Sequence, residues 1–187
     1  SEPYVSALSL FGIEDNVIVV DSVSKRYSEC GIRVGMVVTR NEKVREALLK
    51  FCQSRLSPPL LGQIAAAASV EGTEVYSQRC YNEYKARRDY FIRKLNEIPG
   101  VYSPMPEGAF YTVAEIPVDN AENFAKWMLT EFRYEGQTTM VTPAASFYKT
   151  PGKGMNHIRV AYVLEIPELE KALDVLERGL SAYPGKA

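Results

Sequence analysis

Charge of one sign, paired cysteines, histidine and long apolar runs are all scarce in this sequence, and each scarcity argues against a class of function. Lys and Arg number 22 against 23 for Asp and Glu, a net charge of −1. Nucleic acids and anionic membrane surfaces select clustered positive charge, so neither is an expected partner. The three cysteines, Cys30, Cys52 and Cys80, form no Cys-x-x-Cys pair. That argues against a disulfide framework and a four-cysteine zinc site, and makes a reducing cytoplasm the expected compartment. His157, the one histidine, has no acidic or cysteine neighbour at metal-ligand spacing, so a structural role and no metal are expected. No stretch reaches the ~18 consecutive apolar residues that span a bilayer. The longest near-apolar run, 60–70, is interrupted by Gln63. Repeats and low-complexity segments are absent as well.

What is present is ordinary globular composition: 187 residues, 46% hydrophobic and 24% charged, enough for one or two compact units. The chain opens Ser1-Glu2-Pro3-Tyr4 without a Met, a basic leader or a flexible arm, and reads as a piece of something larger.

Residues 16–21 carry Val17, Ile18, Val19 and Val20 in succession, the pattern of a strand buried on both faces. A second β-rich run, 32–39, ends before Asn41, a helix N-cap by its residue type. The helix that follows sets Val44, Leu48, Phe51 and Arg55 on one stripe and stops at Ser57-Pro58-Pro59. Residues 60–70 suit a short buried helix closing near Gly72, and Thr73 can cap a long one reaching about Ile98. Its Tyr76, Cys80, Tyr84, Phe91 and Leu95 fall at spacings of four or seven, with Lys85, Arg87 and Arg88 in water. Beyond Gly100 short strands are expected over 109–116, 138–142 and 158–163. A helix over 121–132 capped by Asn120, and a last one with Pro167 in its first turn, complete the order. The pattern is an α/β piece followed by an α+β piece, with the long helix at the boundary.

The chemistry concentrates in residues 21–35. Lys25 follows the first apolar run with Ser22 and Ser24 just before it, and Arg33 stands eight residues on between Gly31 and Gly35. A lysine at a strand end, partly buried and beside a cation, is a candidate Schiff-base amine, and hydroxyls with a guanidinium suit a phosphate. The residues alone favour a solvated lysine at a turn. Cys30 suits small-hydrophobe packing, and Gly152-Lys153-Gly154 lacks the strand-to-helix context of a phosphate loop.

The pattern Ser-x-Ser-Lys followed by Gly-x-Arg-x-Gly resembles the signature of fold-type I pyridoxal-phosphate enzymes, and within them the class I/II aminotransferases of the aspartate aminotransferase superfamily. The resemblance implies that Lys25 forms the Schiff base with pyridoxal 5'-phosphate and shuttles a proton, while Ser22, Arg33 and, more weakly, Ser24 hold the phosphate. Glu2-Pro3-Tyr4 is similar to the end of the family's Asp-Glu-Pro-Tyr strand, which implies that the Tyr4 hydroxyl bonds the cofactor's O3′. The family's aspartate, partner of the pyridinium nitrogen, falls at Ser1, which cannot supply that anion. Glu107-Gly108-Ala109-Phe110-Tyr111 resembles the family's glycine-aromatic strand. Pro143-Ala144-Ala145-Ser146-Phe147 resembles its Pro-Gly turn, with Ala replacing Gly. Asn156 to Tyr162 resembles the strand whose arginine, here Arg159, grips the substrate α-carboxylate in a fork that Lys cannot reproduce.

By this resemblance the chain is the C-terminal end of a pyridoxal-phosphate-binding major domain (1–72) followed by the interdomain helix and small α+β domain (73–187). The implied activity is transfer of an amino group between an amino acid and a 2-oxo acid in a cytoplasmic homodimer, the parent protein. A C–S lyase or decarboxylase would keep the same lysine, and a non-catalytic interaction module could keep the same fold. With the first phosphate-binding helix and the ring-stacking aromatic not among these residues, the piece alone is expected to turn over poorly.

Overall fold

The two apolar runs near the N-terminus pair with each other. In the computed structural model, which describes residues 4–186, Ile18–Ser22 (β1) and Gly35–Thr39 (β2) form a two-stranded antiparallel ladder from Ile18↔Thr39 to Ser22↔Gly35. Between them stands a single helical turn, Val23–Arg26 (α1). The sequence suggests a first strand buried on both faces, and the structure corrects this: Ile18 is 50% and Val20 75% exposed. A ladder of two strands offers no neighbour to cover both faces, so the β-branched run expresses its backbone preference without its usual burial.

Three helices follow: Glu42–Arg55 (α2), Leu60–Glu71 (α3) and Thr73–Glu97 (α4). Asn41 caps α2, its side chain accepting from the Val44 amide at 3.1 Å. The α2 stripe is only half-buried at Val44 and Leu48, and Phe51 is exposed. Nor is α3 the buried helix its composition suggests, for Leu60, Leu61 and Ile64 face outward and only Gly62 and Ala66 are buried. Its inward face is narrow and made of small residues. Arg87 and Arg88 of α4 also depart from expectation. Their guanidinium groups reach the carbonyls of Val163 and Pro106 respectively, which draws the stems out of water.

The chain divides into two compact units between Tyr81 and Asn82, inside α4. In the second unit a three-stranded antiparallel sheet has the order β3-β5-β4, with Tyr111–Glu115 (β3), Thr142–Pro143 (β4) and His157–Ala161 (β5). Two helices belong to it, Ala121–Thr130 (α5) and Ile166–Ala182 (α6). Alternation is strict on β5: Ile158 and Val160 are buried while Arg159 is exposed on the opposite face. The core gathers Phe91, Ile92 and Leu95 of α4, Phe124 and Met128 of α5, and Leu169, Leu173 and Leu176 of α6. Each such side chain contributes about 1.5–3 kcal/mol when fully removed from water.

Among the element ends that differ from the periodicity, three do so for a visible local reason. β3 begins at Tyr111 rather than near 109 because Ala109 takes a left-handed φ of 63°. α5 stops at Thr130 rather than near 132, where Arg133 donates to the carbonyls of Met128 and Leu129 and closes the helix end. The strand expected over 138–142 shrinks to Thr142–Pro143, because the Thr138 and Thr139 hydroxyls bond the carbonyls of Met128 and Ala172. The caps hold as expected at Asn120, which accepts from Glu122 and Asn123 amides at 2.8 and 3.2 Å. Leu95→Ala should cost about 2–5 kcal/mol in urea denaturation of the chain. Leu49→Ala, at a 58% exposed α2 position, should stay within about 0.5 kcal/mol. Equal losses would contradict this placement of the core.

Candidate active site

The connection from β1 to β2 is closed at both ends by the Ser22↔Gly35 pair, so residues 23–34 leave and return at one point. Ser22 ends β1 in an extended conformation and caps α1, its Oγ accepting from the Ser24 amide at 3.1 Å. The same Oγ lies 2.8 Å from Ser24 Oγ and 3.2 Å from the Val34 carbonyl oxygen. Lys25 follows on α1 and is exposed, where the sequence suggests partial burial at a strand end. Asp21 anchors the start of the turn by accepting from the Ser22 amide at 2.7 Å and from Arg26 at 2.5 Å. The Ser22 amide first, and the Arg26 guanidinium next, hold the Asp21 carboxyl below its usual pKa.

Arg33 closes the other side. It adopts a left-handed φ of 57°, as does Ser28, although neither is glycine. Such conformations cost of order 1–3 kcal/mol and persist where the surroundings enforce them. Here the enforcement is visible: Arg33 Nη1 donates to the Cys30 carbonyl at 3.0 Å, and Tyr76 of α4 donates to Ser28 Oγ at 2.7 Å. Cys30 itself is exposed, against the packing role its residue type suggests. Its carbonyl, not its thiol, takes part. Helix α3 lies so close to this connection that a Cβ on Gly62 would stand 2.5 Å from the Ile32 carbonyl oxygen.

Arg159 lies in the other unit, at the centre of β5, opposite Val113 of β3 and Thr142 of β4. Its guanidinium carbon sits 5.5 Å from the Tyr111 ring centre and 5.2 Å from that of Phe147, on the turn Ala145–Phe147. Two aromatic rings at these distances attract the cation and limit its rotamers while leaving its N–H edge available. Ala144, where the family turn has glycine, takes φ −107°, which any residue adopts, so the replacement is sterically admissible. His157 bonds Tyr148 through Nδ1 at 2.8 Å, and the Tyr148 ring lies 2.3 Å from where a Cβ on Gly154 would be. That cluster is packing.

The structure thus gathers Ser22, Ser24, Lys25 and Arg33 on one connection and sets Arg159 on the exposed face of a separate sheet. Tyr4 is 87% exposed near the start of the described chain, and the Ser1 departure lies outside the described residues. The sequence pattern does not mark Gly62, nor Tyr111 and Phe147 as the rings about Arg159. For the rings a signal existed, since both lie in the aromatic motifs. For Gly62 none did.

The donor set on the first connection, hydroxyls and a guanidinium beside an amine, fits an aldehyde that carries a phosphate. Comparisons with known proteins give the family. Residues 1–176 match the family described as aminotransferase class I and II, and the chain belongs to that family. It is 33% identical over 173 residues to the LL-diaminopimelate aminotransferase of Natranaerobius thermophilus, covering 90% of this chain and 42% of that protein. With the aspartate aminotransferase of Pyrococcus horikoshii it shares 25% over 176 residues, covering 89% and 41%. The crystal structure of an aromatic aminotransferase from Pyrococcus horikoshii OT3 superposes with a TM-score of 0.81 at 27% identity, over 96% of this chain and 47% of that one. The chain therefore spans less than half the length of these relatives, and its mixed α/β fold is that of fold-type I.

Gly62→Ala should push the Ile32 carbonyl away from α3 and destabilise the chain by about 1–3 kcal/mol. A denaturation midpoint unchanged by this smallest of substitutions would show that the close approach is not a constraint.

Proposed function

We propose that the intact protein is a pyridoxal 5'-phosphate-dependent aminotransferase of the aspartate type, transferring an amino group between an amino acid and a 2-oxo acid. The observation that carries this reading is the single closed connection bearing Ser22, Ser24, Lys25 and Arg33. Residues 1–72 would then belong to the cofactor-binding domain and 73–187 to the interdomain helix and small domain. The expectation of a cytoplasmic homodimer belongs to the same proposal.

When bound, the cofactor supplies an aldehyde that takes up amino groups and a ring that accepts electron density. Ser22 and Ser24 would donate hydroxyl hydrogen bonds to its phosphate, and Arg33 would offer that dianion a fork of N–H groups. Lys25 Nζ would supply the amine that meets the aldehyde and the base that holds the proton taken from the substrate Cα. Tyr4 would donate a hydroxyl hydrogen bond toward the cofactor's O3′. Arg159, steadied by Tyr111 and Phe147, holds the substrate α-carboxylate through two parallel N–H bonds, each worth about 1.5–3 kcal/mol as a charged hydrogen bond.

Lys25→Ala in the intact protein should lower transamination at least about a hundredfold while the phosphate still binds, since positioned proton transfer alone supplies that much. Turnover at the original rate would end the assignment. Arg159→Lys should raise KM for both amino and oxo acids by about tenfold, the equivalent of ~1.4 kcal/mol, with the cofactor's visible spectrum unchanged. An amine lacking the carboxylate provides the control. If it loses rate as steeply as the amino acid does, Arg159 serves the fold and not the substrate.

A further inference from the structure

Between Lys25 and Arg33, the site reading leaves one charged side chain unexplained. Glu29 stands on the β1–β2 connection, directly after Ser28 in its left-handed conformation and one residue before Cys30, whose carbonyl receives Arg33. Its Oε1 accepts a hydrogen bond from the Ser69 hydroxyl of α3. Its Oε2 is buried and has no hydrogen-bond partner among the described residues. An ionisable oxygen removed from water and left unsatisfied is costly, so its place on this turn calls for an explanation. The Glu29 main chain takes part too, its carbonyl accepting from the Ile32 amide at 3.2 Å and so closing the turn that delivers Arg33.

The small-residue face of α3 makes this reach possible. Gly62, Ala66 and Ser69 lie at intervals of four and three along one side of the helix, and two of them, Gly62 and Ser69, touch the connection. Gly62 lets the Ile32 carbonyl come close, and Ser69 ties the Glu29 carboxylate two turns further along. On the other flank Tyr76 ties Ser28. Three anchors on adjoining helices therefore bracket the stretch from Ser28 to Ile32, immediately before Arg33.

We propose that Glu29 is a positioning residue: clamped by Ser69, it fixes the turn that aims the Arg33 guanidinium, and so tunes how strongly the site reads the phosphate of its ligand. The proposal rests on the reading of Lys25 and Arg33 as the aldehyde and phosphate ends of one site. Glu29 touches neither ligand nor substrate. It acts through the backbone of residues 29–33, so its removal affects the phosphate contribution while leaving the lysine's chemistry with the aldehyde intact.

The test uses the intact protein and two probes, pyridoxal 5'-phosphate and pyridoxal, which share the aldehyde and differ by the phosphate. Affinity is read from visible-absorbance titration, apart from turnover. Glu29→Ala and Ser69→Ala should each weaken binding of the phosphorylated probe about tenfold and leave pyridoxal within twofold. Glu29→Gln, which can still accept from Ser69, should restore most of the loss. On an Arg33→Ala background, Glu29→Ala should add nothing further. Equal weakening of both probes would mean a general loss of folded structure and overturn the proposal, as would wild-type affinity for both. Lys25→Ala separates the two levels of the argument. If that variant keeps the absorbance change of a lysine-bound aldehyde, the site reading itself falls, whereas an intact Lys25 effect with a silent Glu29 removes only the clamp. Should Glu29→Ala fail to fold, Ser69→Ala carries the same comparison from the helix side.

Discussion

The antiparallel pairing of β1 with β2 is the constraint on which the proposed site depends. Because the last rung joins Ser22 to Gly35, the chain between them must turn away and come back within a few ångströms. The backbone at its two ends is then held together by the ladder itself. Ser22 Oγ caps α1 by accepting from the Ser24 amide and lies near the Val34 carbonyl, which fixes the outgoing end. Arg33 pays for the return in backbone strain, and the bond to Cys30 offsets part of it. A slip of one residue in this ladder would move Ser22 and Gly35 to opposite faces and undo the arrangement.

The second unit reaches its functional geometry by a different route. There the period of two on β5 decides everything: burying Ile158 and Val160 leaves Arg159 on the open face. The rings of Tyr111 and Phe147 come from separate places in the chain, one from the paired strand and one from the turn after β4. Hydrophobic burial on one side of the sheet thus fixes the orientation of a charge on the other.

How far this could be read in advance depended on the range of the interaction. Asn41 and Asn120 announce their helices because a cap acts over two or three residues, and the side chain suffices to identify it. The alternation at Ile158, Arg159 and Val160 is likewise local. Burial was the weak point: Val17 to Val20 have the composition of a strand enclosed on both sides, yet enclosure depends on what lies alongside, which no local pattern encodes. The same holds for α3, apolar in composition and mostly exposed. Thr138 and Thr139 have strand-forming side chains, but their hydroxyls found helix carbonyls distant in sequence. At the site, Lys25, Arg33 and Arg159 stood out through spacing and motif. Glu29 and Gly62 did not, because their meaning lies in contacts with partners 30 or more positions away.

The uneven distribution of buried side chains has an energetic corollary. Where burial is described before Asn82, only Val17, Val23, Gly62 and Ala66 are buried, whereas most of the core lies beyond it. The proposed cofactor residues therefore sit in the part of the chain with the least hydrophobic stabilisation of its own. Local opening should be easiest there, and amide hydrogens of β1, β2 and α3 should exchange with solvent sooner than those of β5 or α6. Ligand binding would stabilise such a segment by mass action. A ligand that binds only the closed form adds RT ln(1 + [L]/Kd) to its stability, about 2.7 kcal/mol at a hundredfold excess over Kd. For this unit, ligand occupancy and local stability are thermodynamically linked.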